Sequence, residues 1–410
     1  MPNRAIAPEI KNAVDFKLHL MPYEKYTLDN GVEMYAINAG EEDVIMIEFV
    51  FTAGNSWEQQ NLVAAATNHL LKNGTTLKTA FEINEHFDYH GSFLKCSCGS
   101  ETASVTLNAL NKHLPALLPV ISEIFTEAIF PQEELDIFKQ NSKQRLAVNL
   151  KKCEFVANRL IDAQLYGENH PYGKYSRMED FDLLTRDTIM SFYRDHYLNG
   201  KCIVFVGGKL PSDLFWQMNS VFGKLNIKPY YPQKAISPFI NAPVNSQQRH
   251  IRITNDVNGV QGAVRIARNF PNRHHPDFKE VQILNNLLGG FFGSRLMNNI
   301  REDKGYTYGI HSYLENHIEQ SAWIISTEAG RDVCEATVKE VYYEMEKLRT
   351  TLVGDEELLL VKNFMMGSVL SSLNGPFRII HRWSNYILSG ADESYFYSAI
   401  ETIRNITAQQ

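Results

Sequence analysis

No stretch of about 18 uninterrupted apolar residues occurs in the chain, so a membrane-spanning helix is not expected. Positive charge is not in excess either. The 40 Lys and Arg are outnumbered by 47 Asp and Glu, leaving a net charge of −7, the wrong sign for a nucleic-acid binder. Cysteine is scarce: Cys96, Cys98, Cys153, Cys202 and Cys334 form an odd set of five with no regular spacing. That pattern argues against a disulfide framework and for free thiols in a reducing compartment, the cytoplasm. Residues 1–20 lack the apolar core of a secretory signal, although a trimmed periplasmic or secreted form would leave the same sequence.

What is present is ordinary globular material, 44% hydrophobic and 21% charged. At 410 residues the chain exceeds one ordinary core, and two domains are expected. Asp29-Asn30-Gly31 joins two short strand candidates, 23–28 and 32–38, as a hairpin. Residues 44–52 (VIMIEFVFT) read as a strongly apolar strand. Helices follow over 61–72, stopped by Asn73-Gly74, and over 79–90, stopped by Gly91. Strands at 92–98 and 103–109 precede long amphipathic helices at 112–128 and 132–151. A helix over 186–197 leads to a strand at 202–206, ahead of Gly207-Gly208. Cys96 and Cys98 fall on one side of their strand, which reads as packing rather than as a metal or redox pair. Between 224 and 248, Pro229, Pro232, Pro238 and Pro243 interrupt the periodicity and suggest a linker.

The second half repeats the first in outline. Strands are expected at 249–254, 261–267, 308–313 and 322–326, with helices at 277–288, 335–348 and 355–373. Pro131-Gln132-Glu133-Glu134-Leu135 matches Gly354-Asp355-Glu356-Glu357-Leu358 at an offset of 358 − 135 = 223. The fold expected is therefore α+β, in two homologous domains over 1–223 and 249–410, joined by the linker 224–248. Each domain would be a mainly antiparallel sheet with helices packed on one face. On this register the second copy lacks the last helix and strand of the first, because that helix would begin near 406–410.

One segment stands out. Gly289-Gly290-Phe291-Phe292-Gly293-Ser294-Arg295-Leu296 opens a short helix that carries Arg301, and Tyr308 follows 308 − 301 = 7 positions later. With Asn30-Gly31, His170-Pro171-Tyr172-Gly173, and Phe192-Tyr193-Arg194-Asp195-His196-Tyr197 before a strand ending in Gly207, it resembles the pitrilysin (insulinase-like) zinc metallopeptidases over nearly the whole chain. The resemblance implies that Arg301 and Tyr308 bind the backbone of a peptide substrate beside a zinc ion carried by another domain. A guanidinium and a phenol suit a peptide carbonyl and the oxyanion that forms as water attacks it.

The family's metal motif is H-x-x-E-H on the first long helix: two His one turn apart, a general-base Glu beside them, and a distant Glu as third ligand. The matching stretch here is Ala65-Ala66-Thr67-Asn68-His69. The first His is Ala65, the base is Asn68, and only His69 survives. The distant Glu aligns with Asn149, to within a turn. One imidazole among alanine and amides cannot hold catalytic zinc, so no cofactor is expected in this chain, and His69 reads as a leftover, hydrogen-bonded helix histidine. His86 and His90 share a helix face, but no third ligand is near them in sequence.

The resemblance implies the zinc-less subunit of a heterodimeric metalloendopeptidase, comparable to the non-catalytic partner in bacterial pairs and in the mitochondrial processing peptidase. A homologous H-x-x-E-H subunit would carry zinc, and this chain would bind extended peptide through Arg301 and Tyr308. It would be inactive alone, with a homodimer as a by-product of isolation. Nucleic acid and membrane are not expected partners. The alternative is a structural or peptide-binding module with no proteolytic role.

Overall fold

The structure, a computed structural model, describes residues 11–232 and 250–410. The first half begins with strands β1 (Glu24–Thr27), β2 (Glu33–Asn38) and β3 (Val44–Phe51). Helices α1 (Val63–Leu70) and α2 (Ala80–Tyr89) lead to β4 (Phe93–Cys98) and β5 (Ala103–Leu110). Five helices follow: α3 (Leu114–Glu127), α4 (Gln132–Asn149), α5 (Cys153–Tyr166), α6 (Met178–Leu183) and α7 (Arg186–Tyr193). Strand β6 (Lys201–Gly208), helix α8 (Leu214–Phe222) and the short β7 (Lys228–Pro229) close this half. The strands form one sheet in the order β1-β2-β6-β3-β5-β4, with β7 beside β6. Among the described residues only the β2–β6 and β6–β7 pairs are parallel. Lys228 and Pro229 thus belong to the first sheet, and 233–248 of the expected linker lie outside the described residues.

The second half supplies β8 (Gln261–Phe270), α9 (Phe278–Asn285), β9 (Thr307–Asn316) and β10 (Ser321–Gly330), then α10 (Cys334–Thr350), α11 (Asp355–Ser371), α12 (Pro376–Leu388) and α13 (Glu393–Asn405). Its three strands pair antiparallel in the order β8-β10-β9, so β9 is an edge strand among the described residues. The strand expected at 249–254 does not form over the described residues 250–254. Ile251 and Ile253 are exposed there, Arg252 pairs with Glu335, and among the described residues no strand pairs with this segment.

The apolar run of β3 is explained by burial on both faces. Ile45, Ile47, Phe49 and Phe51 join a core with α1, α3 and α7, whereas Val50 joins a second core on the opposite face. That second core is filled by Ile379, Ile380 and Trp383 of α12, a helix of the other half. Gly207 on β6 lets α12 approach, since a Cβ there would lie 2.8 Å from Ile380 Cγ2. The exchange is reciprocal: Leu165 of α5 packs with Ala322 and Ile324 of β10. The offset found in the sequence relates these two helices, 376 − 153 = 223, as it relates α11 to α4, 355 − 132 = 223. Each sheet is therefore covered on one face by its own half and on the other by the equivalent helix of the opposite half.

Candidate functional site

Helix α1 starts under constraint. Leu62 is left-handed, at φ +74°, and has no side-chain cap. Its neighbour Glu58 does the capping: Oε2 accepts from the Ala64 N–H at 2.8 Å, and Oε1 pairs with Lys174 Nζ at 2.7 Å. The Glu58 side chain is only 3% exposed. Burial pushes its carboxyl above the ordinary range, while Lys174 and the Ala64 N–H pull the other way.

Downstream the helix buries Val63, Ala64, Ala66, Thr67, Asn68 and Leu70, leaving Ala65 half-buried and His69 exposed. Asn68, at the general-base position, is 2% exposed. Its Nδ2 donates to the Tyr197 hydroxyl at 3.0 Å and to the Ser104 carbonyl at 3.4 Å. Tyr197 is itself fully buried, in a π-helical turn after α7, and burial raises its hydroxyl well above the ordinary range. The amide is thus a core fastening. Among the described residues His69 does not make the hydrogen bond expected of it; its ring lies 5.1 Å from that of Phe138. Desolvation, with Lys72 and Arg145 nearby and Glu134 opposing, lowers its pKa. Asn149 is the last residue of α4, half-buried, and its carbonyl accepts from Lys152.

These residues do not fit a catalytic zinc. One imidazole is open, the position one turn before it is a methyl, and the amide beside it is tied into the core. Among the described residues no group of three or more His, Cys, Asp or Glu is arranged to hold a metal ion. The His86–His90 pair does have a third histidine, which sequence spacing missed: His90 lies 4.8 Å from His86 and 4.9 Å from His113. His86 Nε2 and His90 Nδ1 are nevertheless taken up by the carbonyls of Ala116 and His86. Cys96 and Cys98 both pack on the first core, and burial pushes their thiols up to about 11 and about 12.

The Gly-rich segment is built differently. Phe291 packs inward, stacking on Phe364 of α11 at 4.6 Å, and Arg295 clamps Glu357 with Nε and Nη2 at 2.7 and 2.9 Å. A π-helical turn, Met297–Asp303, buries Met297 and Ile300 and presents Arg301. Gly305, at φ +64°, reverses the chain, a conformation that favours glycine. The reversal is closed by Tyr306 N–H donating to the Ile300 carbonyl at 3.0 Å. Arg301 and Tyr308 stand on its two arms.

Tyr308 is 92% exposed on the edge strand β9. The Arg301 side chain is 31% exposed. Its guanidinium carbon lies 4.5 Å from the ring centre of Phe292. Nη1 is 2.9 Å from Glu302 Oε1, an ion pair without hydrogen-bond geometry, and this buried nitrogen has no hydrogen-bond partner among the described residues. Tyr308 is thus open to solvent, and Arg301 is partly exposed with Nη1 buried beside Glu302.

Two family descriptions match the chain: "Insulinase (Peptidase family M16)" over residues 35–174 and "Peptidase M16 inactive domain" over 183–365. The chain belongs to this insulinase, or pitrilysin-like, peptidase family. It is 22% identical over 354 residues to the uncharacterised zinc protease YmxG of Bacillus subtilis, covering 85% of this chain and 84% of that one. Among solved structures it resembles a peptidase M16 inactive domain from Pseudomonas fluorescens, with TM-score 0.79 and 21% identity over 95% of this chain and 93% of that chain. A protease from Helicobacter pylori superposes with TM-score 0.80 at 18% identity, covering 95% of each chain. These likenesses support the α+β fold read from the sequence.

Proposed function

We propose that this chain is the zinc-less subunit of a heterodimeric metalloendopeptidase. A homologous partner with an intact H-x-x-E-H helix holds the metal, and this chain binds extended peptide and supplies Arg301 and Tyr308 to the shared site. The observation that carries the reading is the contrast between two positions. Asn68 is consumed by Tyr197 in the core, whereas Tyr308 is exposed and the partly exposed Arg301 guanidinium makes no hydrogen bond among the described residues. Residues 1–223 and 249–410 act as two homologous domains in this scheme. A reducing compartment suits the five free cysteines.

The donors work on the carbonyl oxygen, whose negative charge grows as the bond is attacked. A donor that strengthens its hydrogen bond at that stage lowers the barrier, and removing one typically costs about 10²–10³ in rate. Mixing this chain with its zinc-bearing paralogue gives peptidase activity that neither has alone. Arg301→Ala and Tyr308→Phe lower turnover of the mixture without separating the subunits on size exclusion. Unchanged turnover in both variants would instead favour a structural module with no proteolytic role.

A further inference from the structure

We propose that Phe292 is a positioning residue for Arg301 and the floor of an apolar subsite, so that the bound peptide carries a bulky apolar side chain beside the carbonyl that Arg301 takes. This rests on the peptide-binding half of the reading above and does not need the zinc partner.

The two phenylalanines of the Gly-rich turn divide their labour. Phe291 packs against Phe364, while Phe292 is 62% exposed and contributes little to a core. Its ring is instead where Arg301 rests, 4.5 Å from the guanidinium carbon. A cation–π contact fixes a guanidinium without using any of its N–H donors, which an acceptor side chain would consume. Glu302 balances the charge from one side but takes no hydrogen bond from Nη1. The result is an oriented guanidinium: Nη1 is buried beside Glu302, and the rest of the partly exposed group makes no hydrogen bond among the described residues and is open to a ligand.

A neutral backbone carbonyl fits the exposed part of the guanidinium. Glu302 disfavours a second carboxylate beside it, which selects internal peptide over a free C-terminus. With the carbonyl on Arg301, the flanking side chain falls within reach of the open part of the Phe292 ring. Apolar side chains gain there by burial, and aromatic ones also by ring–ring contact.

The test is fluorescence anisotropy of two labelled, unstructured peptides that differ only in a central Phe or Ser. They are titrated with the full chain and with Phe292→Leu, Phe292→Trp, Arg301→Ala and the Phe292→Leu/Arg301→Ala double variant, all checked for an unchanged melt. The chain binds the Phe peptide more tightly than the Ser peptide. Phe292→Leu weakens both by about 2- to 5-fold, the size of one exposed cation–π contact, and narrows the preference; Phe292→Trp restores both. In the Arg301→Ala background the cation–π part of the Leu effect disappears. If Leu, Trp and Phe at 292 bind alike while Arg301→Ala weakens binding, the Phe292 assignment is overturned and the peptide-binding reading stands. If Arg301→Ala changes nothing, or neither peptide binds the folded chain, both fall.

Discussion

Asn68→Asp tests whether position 68 is committed to the core or open to chemistry. The substitution keeps size and shape but replaces a neutral donor with an acid. In the fold the new carboxyl would sit where Asn68 is 2% exposed, beside the Tyr197 hydroxyl and the Ser104 carbonyl. Full burial raises a carboxyl by up to about 3–5 units. The Tyr197 hydroxyl can turn round and donate to the anion, which recovers part of that, so a net rise of about 2–3 units above an unfolded value of about 3.9 is expected. At about 1.36 kcal/mol per unit, the variant is less stable than the parent by about 3–4 kcal/mol near neutral pH. The sign follows from a raised folded pKa. The acid costs little below about pH 4, and stability is lost as pH rises from there to about 6–7, then levels off. Urea denaturation followed by circular dichroism at several pH values measures this gap. Asn68→Ala provides the reference: a loss of about 1–3 kcal/mol from the stranded Tyr197 hydroxyl, with no such pH dependence. If Asn68→Asp matches the parent at every pH, the side chain opens to water as a general base would, and the core assignment is wrong.

Further expectations concern two other buried acids and the pair Arg301 and Tyr308. Asp162 on α5 is pushed up to about 7, first by burial and then by Glu315, with His317 opposing. Its raised pKa makes the parent lose stability as pH climbs from about 4 through about 7. Asp162→Asn therefore gains about 1–2 kcal/mol at about pH 8, after allowance for partial exposure, and almost nothing near pH 4; urea midpoints at both pH values check this. Lys174→Met strands Glu58, and is expected to cost about 2–4 kcal/mol at neutral pH and less at about pH 5, where Glu58 can take a proton; equal losses at both pH values would show the pair to be solvated. In the reconstituted pair, Arg301→Ala and Tyr308→Phe each lower kcat by about 10²–10³, read by a quenched-peptide assay against an unchanged elution volume.

Much of this architecture was legible because it is local. The continuous apolar run of β3 is a strand buried on both faces, and the 223-residue offset locates α11 on α4. The expected helix over 61–72 is observed as Val63–Leu70; its start is delayed because Leu62 is left-handed, a backbone state that leucine does not advertise. Helices α5 and α12 escaped notice although the offset relates them. Each buries its apolar stripe against the sheet of the other half, and nothing local names that partner. The site divides in the same way. The missing ligands at Ala65 and Asn68 could be read directly, since a methyl and an amide are what they are. That Asn68 is held by Tyr197, 129 positions along the chain, could not. Nor could the support of Arg301 by Phe292, 301 − 292 = 9 positions earlier in the chain. Arg301 and Tyr308 were picked out as candidates from their spacing within a segment that resembles the family.

The central claim is that metal chemistry and carbonyl recognition reside on different chains. Its most direct test is hydrolysis of one unstructured, quenched peptide by this chain, by the H-x-x-E-H paralogue and by their mixture, each with zinc and with chelator. The account predicts zinc-dependent cleavage in the mixture alone, abolished by Arg301→Ala in this chain. Robust cleavage by this chain on its own that disappears with chelator would contradict it.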